Sequence, residues 1–156
     1  MDQSSAASSR SSNVAANPMQ VLLNERVDPD DPLAVYRLIE VGLAPEDVLR
    51  LVDAVELLKD KAVLAKVIGM TERTLRHRAK AQRMALTSGQ SSKVMRFAEI
   101  LSKAEEVLGS REAAERWLVK PLFGFEGRTP LDLLSNSFGE RMLEDLLTRI
   151  EFGVYQ

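Results

Sequence analysis

Apolar residues recur at helical spacing along most of this chain. Val48, Leu51, Val52, Val55 and Leu58 fall at i, i+3, i+4, i+7 and i+10, on one face of a helix predicted over 45–58. Glu46 and Asp47 lie in its first turn, where the helix dipole favours negative charge. An earlier helix is expected over 32–41, opened by Pro32 and stopped by Gly42. Two shorter helices flank Gly69. The small polar run 87–92 (TSGQSS) reads as a linker. Beyond it Val94, Phe97, Ala98, Leu101 and Leu108 predict a long helix over 91–108, capped by Gly109. Ser110 opens the next, which carries Ala113, Ala114, Trp117 and Leu118 and must end before Pro121. Thr129-Pro130-Leu131-Asp132 has the form of a capping box, and Ser137-Phe138-Gly139-Glu140 of a second. The last helix runs to about Phe152, with Phe138, Met142, Leu143, Leu146, Leu147 and Ile150 as its apolar stripe and Gly153 as its stop.

No strand is predicted in the body of the chain. The short run Val21-Leu22-Leu23 fits a strand, a helical turn or a docking segment equally well. The expected fold is therefore all-α, in three parts: a disordered or irregular segment 1–31, a first helical module 32–88 and a second 89–156. Residues 1–13 contain no Leu, Ile, Val or Phe, so they bury too little surface to offset their ordering entropy and offer no signal-peptide core. With 45% hydrophobic and 28% charged residues, the 156-residue chain can build a sizeable core. No run approaches the roughly 20 apolar residues of a membrane-spanning helix. The chain has no cysteine, which excludes disulfides, thiolate metal sites and cysteine nucleophiles and fits a cytoplasmic setting.

Charge changes the picture more than composition does. The net charge is only −2, but residues 59–83 hold eight Lys or Arg against two acids, a net of +6, so the other 131 residues carry −8. A basic segment in an otherwise acidic chain is an electrostatic footprint for phosphate. The same stretch, KAVLAKVIGMTERTLRHRAK over 61–80, has the spacing of a helix-turn-helix. Ala65 is small enough for a second helix to approach, Gly69 suits the tight turn, and Leu75 packs back into the angle between the two. Thr71 caps the second helix. Residues near the start of a recognition helix face base edges, which nominates Thr71, Arg73, Thr74 and His77 for groove contact. Arg76, Arg78, Lys80 and Arg83 are placed as phosphate anchors, which carry affinity rather than sequence.

Nothing in the chain asks for an enzyme. His77 has no partner histidine or cysteine and stands between arginines, so neither a metal site nor acid–base work is expected of it. Gly124 and Gly127 are not followed by the Lys-Ser/Thr of a phosphate-cradling loop. No catalytic residue, metal or cofactor is assigned.

Residues 104–134, AEEVLGSREAAERWLVKPLFGFEGRTPLDLL, resemble the C-terminal domain of the Xre/MbcA/ParS-like antitoxins. The resemblance is carried by Gly109, Ala114, Trp117-Leu118, Pro121 and Gly127 before Thr129-Pro130-Leu131-Asp132-Leu133-Leu134. The ending LEDLLTRIEFGVYQ is similar to that family's last helix and tail, while Phe123-Gly124-Phe125-Glu126 departs from the asparagine-containing loop more usual there. The resemblance implies an Xre-like helix-turn-helix followed by a toxin-binding domain, in an antitoxin of a RES-domain toxin that depletes NAD. Such a protein dimerises, occludes the toxin's active site and represses its own operon at operator DNA. Carried-over toxin contacts are Arg149, Glu151, Gly153, Val154 and Tyr155. The competing reading is a stand-alone repressor whose C-terminal module dimerises or senses a ligand.

Overall fold

The computed structural model describes residues 16–81 and 84–153. Among them are nine α-helices, one 3-10 turn and no strand. The fold is all-α, as expected. Arg83, Val154 and Tyr155 lie outside the described residues.

The run left open at 21–23 is helical. In α1 (Pro18–Leu23) the Asn17 side chain accepts from the Gln20 N–H, and Gln20 returns the bond to the Asn17 N–H. Met19, Leu22 and Leu23 are buried against α3 and α6, and the Met19 N–H donates to Ser102 Oγ at 3.1 Å. The expectation of an irregular 1–31 therefore fails over 17–23, because a reciprocal cap and three buried side chains outweigh the brevity of the helix.

Helix α2 (Pro32–Val41) is capped by Asp31 and stopped by Gly42. Glycine is required at 42: its φ is +101°, and a Cβ there would collide with the Leu86 carbonyl. Helix α3 (Pro45–Ala54) buries Val48, Leu51 and Val52. It ends four residues before the predicted Leu58. Val55 turns extended, Arg111 donates to the freed Ala54 carbonyl at 3.2 Å, and a 3-10 turn (Glu56–Lys59) follows with its Leu57 N–H held by Glu115 at 2.6 Å. Val55 and Leu58 remain buried, so the periodic pattern survives the break in the helix.

Helix α4 (Lys61–Ile68) is capped by Asp60, and Gly69 leaves it in the left-handed region. Helix α5 (Glu72–Ala81) follows and packs chiefly on α3, with Leu75 fully buried. Residues 87–92 are not a linker. Thr87 and Gln90 form a capping box that opens α6 (Ser88–Leu108), and buried Ser91 accepts from the Leu43 N–H at 2.9 Å. Small polar residues mark helix starts as well as linkers, and periodicity cannot separate the two.

α6 is the central helix. It packs against α1, α2 and α4 on one side of the sequence and against α7 (Arg111–Leu118) and α9 (Ser137–Glu151) on the other. Phe97, Ala98, Ile100, Leu101 and Ala104 fill this single core. Gly109 and Ser110 stop α6 and open α7 as predicted. The short α8 (Pro130–Leu133) has the Thr129–Asp132 box. The cap of α9 is Asn136 rather than Ser137, since the Asn136 side chain accepts from the Gly139 N–H at 3.0 Å.

Candidate functional site

The basic segment is presented by two elements. Thr71 opens α5: the Thr74 N–H donates to its Oγ1 at 3.1 Å, and the two hydroxyls lie 3.0 Å apart. Burial of Leu75 against α3 then turns Arg73, Thr74, Arg76, His77 and Lys80 outward, while Arg78 is half-buried. Ala65, expected beneath the second helix, is exposed, because α5 leans on α3 instead of α4.

The 3-10 turn and the start of α4 face α5 across an open cavity of about 810 Å³. Arg73, Arg76, His77 and Lys80 line one wall, and Lys59 and Lys61 the other. Neither lysine was nominated from the sequence. Both contributed to the charge count, but only the break after α3 brings them opposite α5. Arg78 does not line the cavity.

The cations are not equivalent. The Arg76 guanidinium donates to Glu72 at 2.7 and 3.1 Å and to Asp53 at 3.3 Å, and the Glu72 bond chiefly raises its pKa further above the ordinary value. Lys59 pairs with Glu56 at 2.9 Å, which raises its pKa. Lys61, Arg73 and Lys80 enter no ion pair among the described residues and leave their charge available to a ligand.

A second region of interest runs from the end of α6 to the end of α9. The loop after α7 folds back on itself, with the Leu122 N–H bonded to the Arg128 carbonyl at 2.9 Å and Gly124, Glu126 and Gly127 at positive φ. The Thr129 box holds the Asp132 carboxylate, which also receives Lys66 from α4. The hydrogen bond from Lys66, then that from the Thr129 backbone, holds Asp132 down to about 2.

Along α9 the buried face is Gly139, Leu143 and Leu147, spaced i, i+4, i+8. Phe138 and Met142 precede this stripe by one position, about 100° around the helix, and are 69% and 43% exposed. Their placement in the core stripe is thus corrected. Phe123 at the start of the loop is fully exposed, and so largely is Phe152. Arg149 and Glu151 are exposed on the last turn of α9, and Gly153 follows at φ +66°.

The α6–α9 seam brings together three acids from two helices. The carboxylates of Glu99, Glu140 and Glu144 lie within 4.8 Å of one another, and Arg96 pairs with Glu140 at 2.9 Å. Desolvation at the seam, then the facing Glu140 and Glu144, pushes Glu99 up to about 7, although the residue as a whole is exposed. Among the described residues this is the one carboxylate group dense enough to hold a metal, and Arg96 already supplies it with a cation. The pairing Glu140–Glu144 is visible in sequence as i, i+4; Glu99 is not.

Residues 103–153 match the family model of the antitoxin Xre/MbcA/ParS C-terminal toxin-binding domain. The C-terminal third of the chain is thus similar to this antitoxin domain. The chain is 37% identical over 81 residues to an "Antitoxin Xre" of Pseudomonas putida, an alignment covering 52% of this chain and 50% of that protein. The chain thus spans about half the length of that curated relative. A Sphingobium protein named "Prs ADP-ribosylating antitoxin" is 24% identical over 83% of this chain and 84% of its own length. An "Antitoxin Xre" of Yersinia enterocolitica is 28% identical over 61% and 64%. The matched span begins inside α6 and ends just beyond α9, so it takes in the α7 turn, the folded loop and the exposed face of α9. Among the described residues, no helix is long and apolar enough to cross a membrane.

Proposed function

We propose that this chain is a non-enzymatic, cytoplasmic antitoxin that neutralises a RES-domain, NAD-depleting toxin by covering its active site, and that it represses its own operon. The match of residues 103–153 to a toxin-binding domain carries the first half of this reading. The exposed end of α9, with Arg149, Glu151 and Gly153 and the Val154 and Tyr155 that follow, is the segment assigned to the toxin's active site. The homodimer is assigned to α2, which leaves Leu33, Tyr36 and Val41 exposed.

The second half rests on the cavity of free cations. Thr71, Arg73, Thr74 and His77 are assigned to the edge of the major groove, with α4 and α5 acting as the helix-turn-helix. Lys80 and Lys61 take phosphates, joined by Arg78 at the flank and Arg83 beyond α5. Arg76 is demoted from anchor to strut, because Glu72 and Asp53 already occupy its guanidinium.

Co-expression with the product of the adjoining reading frame tests neutralisation. That product should arrest growth alone and be harmless beside this chain. Absence of toxicity, or toxicity that this chain fails to relieve, defeats the reading. The name of the Sphingobium relative points to ADP-ribosyl transfer, which also consumes NAD, so NAD loss and ADP-ribosylation are assayed in parallel. Deletion of 149–156 should abolish neutralisation and spare DNA binding. A stand-alone repressor would lose neither, having no toxin to bind.

For DNA, anisotropy on the upstream operator fragment should show affinity falling steeply with salt. Lys80→Ala should weaken all sequences alike and lower the salt slope by about 1. Arg73→Ala should cost about 1–3 kcal/mol on the operator and relax sequence preference if it reads guanine. Equal effects of both variants on every sequence would refute the division of roles.

A further inference from the structure

The apolar surface within the matched domain is concentrated at the start of α9, about 21 Å along the helix from Phe152 (14 residues at about 1.5 Å each). Phe138 and Met142 lie one turn apart on its outer face. The loop 124–126 rises opposite them, and together they line a shallow cavity of about 460 Å³. Phe123, the residue before the lining Gly124, has its whole side chain in water. The Arg141 guanidinium rests 4.7 Å from the centre of the Phe138 ring. Arg141 enters no ion pair among the described residues.

Single exposed apolar residues are ordinary on a protein surface, but a cluster around a cavity marks a binding site. Aromatic, methionine and arginine side chains without lysine are the composition of an interface centre. Charge narrows the occupant. Glu126 and Arg128 beside the cavity and Arg141 on the Phe138 ring edge the cluster with both signs, which suits a protein rim and not the uniformly basic collar of a surface that binds anionic lipid.

We propose that Phe123, Phe138 and Met142 form the anchoring patch for the toxin, distinct from the segment at the other end of α9 that covers its active site. The proposal rests on the antitoxin reading and deepens it. The toxin lies along the outer face of α9, seats a large apolar side chain between Phe138 and the 124–126 loop, and meets the 149–153 end with its catalytic cleft. A contact of about 21 Å along one axis is in keeping with the roughly 800 Å² per partner of a stable interface. Anchor and plug then have separate jobs: the patch sets how long the complex lasts, and the plug sets whether the bound toxin is active.

The test uses the full chain and the purified product of the adjoining reading frame, with Kd and residual NAD consumption measured together. Phe138→Ser should raise Kd about tenfold, and the triple Phe123→Ser, Phe138→Ser, Met142→Ser variant at least about thirtyfold, as for interface hot spots. NAD consumption by the toxin saturated with the triple variant should remain blocked. Deletion of 149–156 should show the reverse, binding without full inhibition. Phe123→Ser alone, at a side chain with no burial to lose, serves where the triple variant melts early; it should raise Kd several-fold at an unchanged thermal midpoint. Met84→Ser, an exposed apolar residue outside the domain, should leave Kd unchanged. A triple variant, or Phe123→Ser, with Kd within about twofold of wild type overturns the anchor and leaves the antitoxin reading standing. Failure of the wild-type chain to bind or inhibit the product overturns both.

Discussion

Lys66 and Asp132 form a charged tie between the basic α4–α5 region and the segment 103–153 that matches the family model, and its removal has a calculable effect. Lys66 sits in the last turn of α4, and Asp132 closes the box at the start of α8. A carboxyl moved from 3.8 to about 2 gains, at face value, about 2.5 kcal/mol at neutral pH, at about 1.4 kcal/mol per pH unit. Both side chains are partly in water, 46% exposed for Lys66 and 36% for Asp132, so screening reduces this to about 1 kcal/mol. The sign follows from the lowered carboxyl. Its stabilisation is complete above the ordinary aspartate range and is lost as pH falls from about 4 towards 2. Lys66→Met should therefore lower the unfolding free energy by about 1 kcal/mol at pH 7 and by much less at pH 2.5. Asp132→Asn loses about 1 kcal/mol more, because it also weakens the cap on Thr129. Urea unfolding of the two single variants and the double variant at both pH values measures the coupling. A coupling near zero at pH 7, or one that persists unchanged at pH 2.5, refutes the reasoning.

Two further perturbations probe the packing and electrostatics around α9. Gly139→Ala drives a Cβ into the Leu133 carbonyl and backbone, which cannot swing away as a side chain can. A loss of about 3 kcal/mol and a thermal midpoint lower by roughly 5–10 °C are expected by calorimetry; an unchanged midpoint would mean that α8 and α9 are not in tight contact. Glu99→Gln removes a carboxyl held up to about 7, so wild type should lose stability as pH rises from about 4.5 through 7, and the variant should not. With water screening the exposed residue, the variant's advantage at pH 8 is about 1 kcal/mol or less, read as a urea midpoint that changes less between pH 5 and pH 8. Equal pH dependence in the two proteins would count against a crowded carboxylate seam.

Where a feature of the fold is set within one turn of chain, it can be read from sequence. Gly109 with Ser110 and the Thr129 box each act through bonds to residues at most four away, and each falls where predicted. The errors occur where a distant partner decides. The helix predicted to Leu58 stops at Ala54 because Arg111 and Glu115, on α7, take the backbone groups that the break releases. The supposed linker at 87–92 opens a helix through the Thr87–Gln90 box, and Ser91 fixes it in the core by accepting from the Leu43 N–H, 48 positions earlier in the chain. α1 exists as a packed helix because α3 and α6 offer a surface for Met19, Leu22 and Leu23.

The same distinction runs through the candidate sites. A basic stretch is a property of composition, so α5 could be singled out by counting. Which of its cations keep their charge for a ligand depends on Asp53, Glu56 and Glu72, and that depends on how α3 and α5 meet. On α9 an apolar stripe six residues wide was read as entirely inward. Gly139 decides otherwise: its missing side chain lets α9 settle against Leu133, and this fixes the rotation that carries Leu143 and Leu147 inward and Phe138 and Met142 out. One glycine thus converts what resembles surplus core into an exposed apolar face. The outward rotation leaves two large side chains without internal partners, a cost that a monomeric core has no reason to carry. On the proposed reading, a bound toxin covers them.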